Sequence, residues 1–169
     1  MGYELSLQES ARIFINAAPH DQMLFTATAI LAAPFFEELL LRGMLFPALL
    51  KHTGLPGAVL ISSCLFALLH FNALAAVILI ALLPIVLLTG QAVRTRTRSV
   101  LTNGTVLVIL SVSAGLAHQT GVLHLFTSLL ILSIGLSAAY WRTGSLWVSI
   151  AMHSIFNAVT LAFLYFAGV

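Results

Sequence analysis

From residue 23 onward the chain is a succession of apolar runs separated by short polar joints, at 23–50, 57–71, 74–90, 100–117, 121–141 and 145–167. Each run is continuously apolar. Strands of membrane barrels alternate apolar and polar residues, so this pattern predicts helices. A bilayer core of about 30 Å takes about 20 helical residues, within a range near 17–25. Several runs sit at the short end, and 57–71 and 74–90 also read as one bent unit around Asn72. Helices that are apolar all round show little amphipathic bias, so periodicity does not say which faces meet. The predicted fold is all-α: a polytopic membrane helix bundle with about six transmembrane helices. Residues 1–22 are mixed and lack the basic start, apolar core and cleavage site of a signal peptide. They form an N-terminal tail, or an interfacial helix built on Tyr3, Leu5, Leu7, Ile13 and Phe14. Residues 23–169 read as a single transmembrane domain.

Composition agrees. Of the 169 residues 60% are hydrophobic and 7% charged, against about 25% charged in soluble domains. Too few polar side chains remain to cover a water-facing surface, and a disordered chain is excluded. The pI near 9.1 rests on a net charge of only +2, with no basic face for phosphates, which excludes nucleic-acid binding. One cysteine, Cys64, cannot make an internal disulfide. Lys51, Arg94, Arg96, Arg98 and Arg142 follow the first, third and fifth runs. With six alternating helices these loops share one side, the cytoplasmic one by the positive-inside rule. Both termini then lie on the opposite side. The RTRTR run at 94–98 reads as a cytoplasmic anchor for anionic lipid.

Charges inside an apolar run are costly and mark function. Glu37, Glu38 and Arg42 stand inside the first run, in PFFEELLLRG. Glu38 and Arg42 are four apart, share a helical face and can pair. That leaves Glu37 pointing about 100° away, a candidate general base. Counted at 1.5 Å per residue from the cytoplasmic helix ends, Glu37, Glu38 and His70 lie roughly 20 Å deep, Asn157 roughly 18 Å, Arg42 roughly 13 Å and His153 roughly 12 Å. Two carboxylates, two imidazoles and an amide from three helices thus share one layer. His153 and Asn157 share a face, and Phe66 sets its ring beside His70. HExxH, GxSxG and P-loop signatures are absent.

The motifs resemble a known family. Glu37-Glu38-Leu39-Leu40-Leu41-Arg42 matches EExxxR, Phe66-Ala67-Leu68-Leu69-His70 matches FxxxH, and His153-Ser154-Ile155-Phe156-Asn157 matches HxxxN. In this order, on separate apolar helices, with the flanks FALLHFN and YWRTGSLWVSIAMHSIFNA, they resemble the CPBP family of CAAX proteases and bacteriocin-processing enzymes, also called the Abi family. The resemblance covers roughly residues 30–72 and 128–160. It implies that Glu37 activates water, that His70 helps hold that water, that His153 and Asn157 donate to the oxyanion, and that Glu38 and Arg42 form a supporting ion pair. The family places its second and third motifs closer together, so residues 73–125 read as an insertion of two spans that closes the substrate groove or docks partner subunits.

The expected function is an intramembrane endopeptidase that cleaves a peptide or membrane-protein substrate by glutamate-activated water, without a cofactor. The same Glu37, His70, His153 and Asn157 are also a possible ligand set for a divalent metal. Two other classes fit the composition. One is a non-catalytic accessory subunit of a larger membrane complex on the same fold. The other is a small transporter or pigment-binding subunit using His118 or His124.

Overall fold

The computed structural model describes residues 14–71, 95–119 and 122–167, which are helical almost throughout, with no strand among them. The helices are α1 Pro19–Ala27, α2 Ala33–Glu38, α3 Phe46–Leu69, α4 Thr95–Gln119, α5 Leu123–Thr143 and α6 Leu146–Ala167. Two π-helical stretches, Thr28–Ala32 and Leu39–Leu45, join α1 to α2 and α2 to α3, so one helical path runs from Pro19 into α3. Pro19 opens this path at a position where its missing N–H has no helical partner to lose. The path therefore starts ahead of residue 23, inside the stretch read as a tail or interfacial helix. The chain is an all-α membrane protein. Pro19–Leu69, Leu123–Thr143 and Leu146–Phe166 are long and apolar enough to cross a bilayer. The apolar part of α4, Leu107–Leu116, is shorter. The 74–90 run, Asn72, Arg94 and the segment from Tyr3 to Ile13 lie outside the described residues.

The 51 residues from Pro19 to Leu69 exceed one crossing, and α3 breaks at Gly54. There φ is 70° and ψ is 179°, a region essentially confined to glycine. Pro56 follows at the start of the second arm, where no helical donor is needed. The first arm ends with Thr53 Oγ1 donating to the Leu49 carbonyl at 2.9 Å. The Thr53 side chain then packs so close that a Cβ on Gly57 would lie 2.6 Å from Thr53 Cβ. The corner thus uses one glycine for its dihedral angles and one for close approach.

Beyond the corner the arms run antiparallel. Phe46 and Leu49 join Ala58, Ile61 and Leu65 in one buried cluster. Further from the corner Leu41 meets Phe66 and Ala67 in a second. This register returns His70 to the level of Glu37. Ile109 of α4 completes the first cluster and Phe126 and Leu129 of α5 the second. The second arm ends at Leu69, because the His70 and Phe71 amides turn back to the Ala67 and Leu68 carbonyls. The α5–α6 turn uses Gly144 at φ 63° as a left-handed cap, its N–H bonding the Tyr140 carbonyl at 2.8 Å. Helix α6 then lies along α2 and the first π-helical stretch. Its outer face carries Trp147, Ile155, Val159, Phe163 and Phe166, large apolar side chains suited to lipid.

Two substitutions at the corner are expected to cost stability for different reasons. Gly54→Ala keeps its space but not its dihedral angles and costs about 1–3 kcal/mol. Gly57→Ala keeps its angles but meets Thr53 at under contact distance, and overpacking of this kind also costs about 1–3 kcal/mol. Replacing Thr53 by Gly restores stability to the Gly57 variant and not to the Gly54 variant. Thermal unfolding of the purified protein in detergent checks this.

Candidate active site

The site forms where α2, the end of α3, α5 and α6 converge. Adjacent residues Glu37 and Glu38 point to different partners, as the helical rotation between neighbours requires. Glu38 faces inward and is fully buried, and so is Arg42 one turn on. Arg42 Nη1 donates to Glu38 Oε1 at 2.8 Å. Its Nη2 donates to the Ser133 carbonyl at 3.0 Å and to the Ser133 hydroxyl. The guanidinium also lies over the Phe66 ring, 5.1 Å from its centroid, in cation–π range. One charge therefore ties the first helical path to α5 and to the second arm of α3.

Glu38 Oε1 takes a second hydrogen bond, from His153 Nδ1 of α6 at 3.1 Å. With the carboxylate paired to Arg42, the oxygen accepts and the ring nitrogen donates. His153 is buried, and its Nε2 lies 3.9 Å from Glu37 Oε2. His70 approaches the same carboxylate from the other side. Its Nδ1 donates to the Phe66 carbonyl at 2.8 Å, since a carbonyl only accepts. Its Nε2 lies 3.8 Å from Glu37 Oε2. Phe66 floors the pair, its centroid 4.6 Å from the His70 ring and 5.3 Å from the His153 ring.

Glu37 thus faces two imidazole nitrogens at 3.8 and 3.9 Å. These gaps exceed a direct hydrogen bond and suit one bridging water. Glu37 keeps 32% of its side-chain surface exposed while Glu38 keeps none. The exposed part of Glu37, with His70, borders two cavities of about 320 Å³ each. One runs between the first π-helical stretch and α6 past Thr28, Asn157 and Thr160. The other opens over Phe36, Leu40 and Leu69. Among the described residues no three His, Cys, Asp or Glu side chains close on one point as a divalent ion requires.

The structure brings together Glu37, Glu38, Arg42, Phe66, His70 and His153, all singled out from the sequence. Asn157 borders the same cavity as Glu37, but its Nδ2 donates to the Ala29 carbonyl at 2.8 Å. Ser133 was missed, because nothing in the sequence sets it apart from Ser128 and Ser137 on the same apolar helix. His118 and His124 are exposed on α4 and α5.

The buried pair and the half-open carboxylate make opposite demands. Arg42→Ala leaves Glu38 charged and buried beside a single histidine, a loss of roughly 3–5 kcal/mol. Glu37→Ala removes a partly exposed side chain with no short contact and costs less than about 1 kcal/mol. Unfolding midpoints of the two variants in one detergent test the contrast.

Comparison with known protein families finds a match to the type II CAAX prenyl endopeptidase Rce1-like family, in two overlapping pieces at residues 19–106 and 98–159. No curated protein matches the chain, and no solved structure does. The matched residues take in Glu37, Glu38, Arg42, His70, His153 and Asn157. This is the CAAX-protease branch of the CPBP resemblance drawn from the motifs, a family of membrane proteases. The chain belongs to the Rce1-like type II CAAX prenyl endopeptidase family.

Proposed function

We propose that this chain is an intramembrane endopeptidase in which Glu37 activates a water molecule. The observation that carries this reading is the convergence of two imidazole nitrogens on one Glu37 oxygen at one-water spacing, beside two cavities. A water there would give a proton to Glu37 as its oxygen attacks the scissile carbonyl carbon. His70, its tautomer set by the Phe66 carbonyl, presents Nε2 to that water. His153 would stabilise the oxyanion from Nε2, the large electrostatic contribution in acyl transfer. Donation from both of its nitrogens needs a doubly protonated ring, and buried Glu38 would be the counter-charge. On collapse the C–N bond breaks, and the proton on Glu37 passes to the leaving amine. Family membership supports a peptide substrate with a prenylated CAAX terminus, met at the bilayer.

Glu37→Ala and Glu37→Gln are expected to slow cleavage about 10²–10⁴-fold, with normal protein levels. In cells, mass spectrometry of membrane-protein termini should show a defined set of new termini that disappears in Glu37→Ala. Identical termini in both strains would sink the protease reading and favour a structural subunit.

A separate expectation concerns metal. The donor geometry favours water held by protein groups alone, so cleavage of a farnesylated CAAX peptide in liposomes survives prior treatment with EDTA and 1,10-phenanthroline. Loss restored by added zinc would assign Glu37, His70 and His153 to a metal.

A further inference from the structure

Two cavities border the site, and among the described residues Glu37 and His70 alone line both. A substrate whose scissile bond lies at Glu37 therefore has one flank in each. The cavities differ in chemistry and in shape. One is walled by Phe36, Leu40 and Leu69 and has no polar side chain beyond the shared pair. Phe36 is 66% and Leu40 43% exposed, which in a membrane protein sets this mouth against lipid. The other is a groove between the first helical path and α6. These two run antiparallel, since His153 meets Glu38 and Asn157 meets Ala29. From Glu37 the groove passes Thr28 and Thr160 and reaches Phe25, Leu161 and Leu164. Ala33 to Phe25 on one wall and Asn157 to Leu164 on the other each measure about 10–12 Å at 1.5 Å per residue. Three extended residues span about 10 Å. Leu164 is in the last turn of α6, which ends at Ala167, so the groove leads outward to the helix end.

We propose that this groove holds the residues that follow the lipid-bearing residue of the substrate, and that Phe25, Leu161 and Leu164 select an apolar last side chain. A CAAX terminus carries three residues after its prenylated cysteine, the length the groove accommodates. The prenyl chain lies in the other cavity, where it stays against lipid. The terminal carboxylate points to the helix end and so escapes the cost of burying a charge in hydrocarbon. The Thr160 hydroxyl donates to the Phe156 carbonyl at 2.9 Å. Its oxygen is left to accept a main-chain N–H of the peptide. This assignment rests on the protease reading for its kinetic consequences, while the binding itself does not.

The full chain in liposomes is given two farnesylated CAAX peptides that differ only in the last residue, Leu or Ala. Wild type is expected to favour Leu by about tenfold or more in kcat/KM, the scale of lost methylenes in an apolar pocket. L164F fills the end of the groove and reverses the preference. L40F, in the other cavity, leaves that preference in place and instead selects against a geranylgeranyl peptide relative to the farnesyl one. V159F, on the outer face of α6, changes neither. A wild type indifferent to the last residue overturns the proposal. So does a preference that L164F shifts no more than V159F does, or an L164F effect on lipid length alone. Binding is read separately in E37Q, with photo-leucine as the last residue of the peptide. Crosslinks are expected at residues 25–28 or 160–164. Crosslinks at 36–40 or 69, or none, overturn the proposal. If E37Q cleaves at the wild-type rate, the function reading has failed, and the crosslinks still decide what the groove binds.

Discussion

The architecture of the site depends on one buried ion pair. Glu38 and Arg42 are both fully enclosed in an apolar bundle. Taking each charge out of water costs several kcal/mol, and attraction between them offsets this only with good geometry and further hydrogen bonds. Both conditions shape the fold. Glu38 Oε1 receives Arg42 and His153, and Arg42 reaches Ser133 and the face of Phe66. Three helical segments besides the one carrying the pair are thereby held in rotation and in height. A pair of this kind adds little net stability over apolar residues of the same volume, but it penalises every other register. Two of its atoms, Glu38 Oε2 and Arg42 Nε, have no partner among the described residues. Among the described residues the pair is held through Glu38 Oε1 and the two Arg42 Nη atoms.

Around this pair the chain divides two tasks between neighbouring glutamates. Glu38 is closed off and orders the histidine of α6. Glu37, next in the chain, is about one-third open and borders both cavities. Helical rotation alone separates the two environments. His70 reaches Glu37 by a different route, through the glycine corner at Gly54 and the antiparallel return of α3. A single helix running straight from Pro19 to Leu69 would place Glu37 and His70 roughly 50 Å apart at 1.5 Å per residue. The corner is therefore as necessary to the site as any side chain in it, though it lies outside the layer where the polar groups meet.

Much of this was legible in the chain. Ionisable groups in an apolar run stand out against their background, and spacings of four placed Glu38 with Arg42 and Phe66 with His70. Among the described residues the runs at 121–141 and 145–167 match α5 and α6 to within two residues, and the run at 100–117 falls inside α4. What could not be read has a common physical origin: it lies in the main chain or in choices with many equivalents. The Arg42 partner is a serine and its carbonyl, one of several buried serines. The two π-helical stretches have ordinary helix-forming composition. Their register follows from packing, which helices apolar on every side do not encode as a pattern. Asn157 showed the same limit. Its spacing from His153 correctly set both on one face of α6, but spacing says nothing of which atom the amide meets.

The meeting of Asn157 with Ala29 illustrates a constraint peculiar to this solvent. In water a carbonyl orphaned by a proline is hydrated at little cost. In hydrocarbon it needs a donor from within the protein, and kinked membrane helices take such donors from their neighbours. A proline thus does more than bend its own helix, because it creates a vacancy that some other helix must fill. Here Asn157 donates to the Ala29 carbonyl two turns before the half-open glutamate, and the same helix supplies the histidine opposite. Backbone satisfaction and site geometry are then one requirement. The residues that meet it, Ala29 and Asn157, belong to different segments of the chain, and neither one's part can be read without the other.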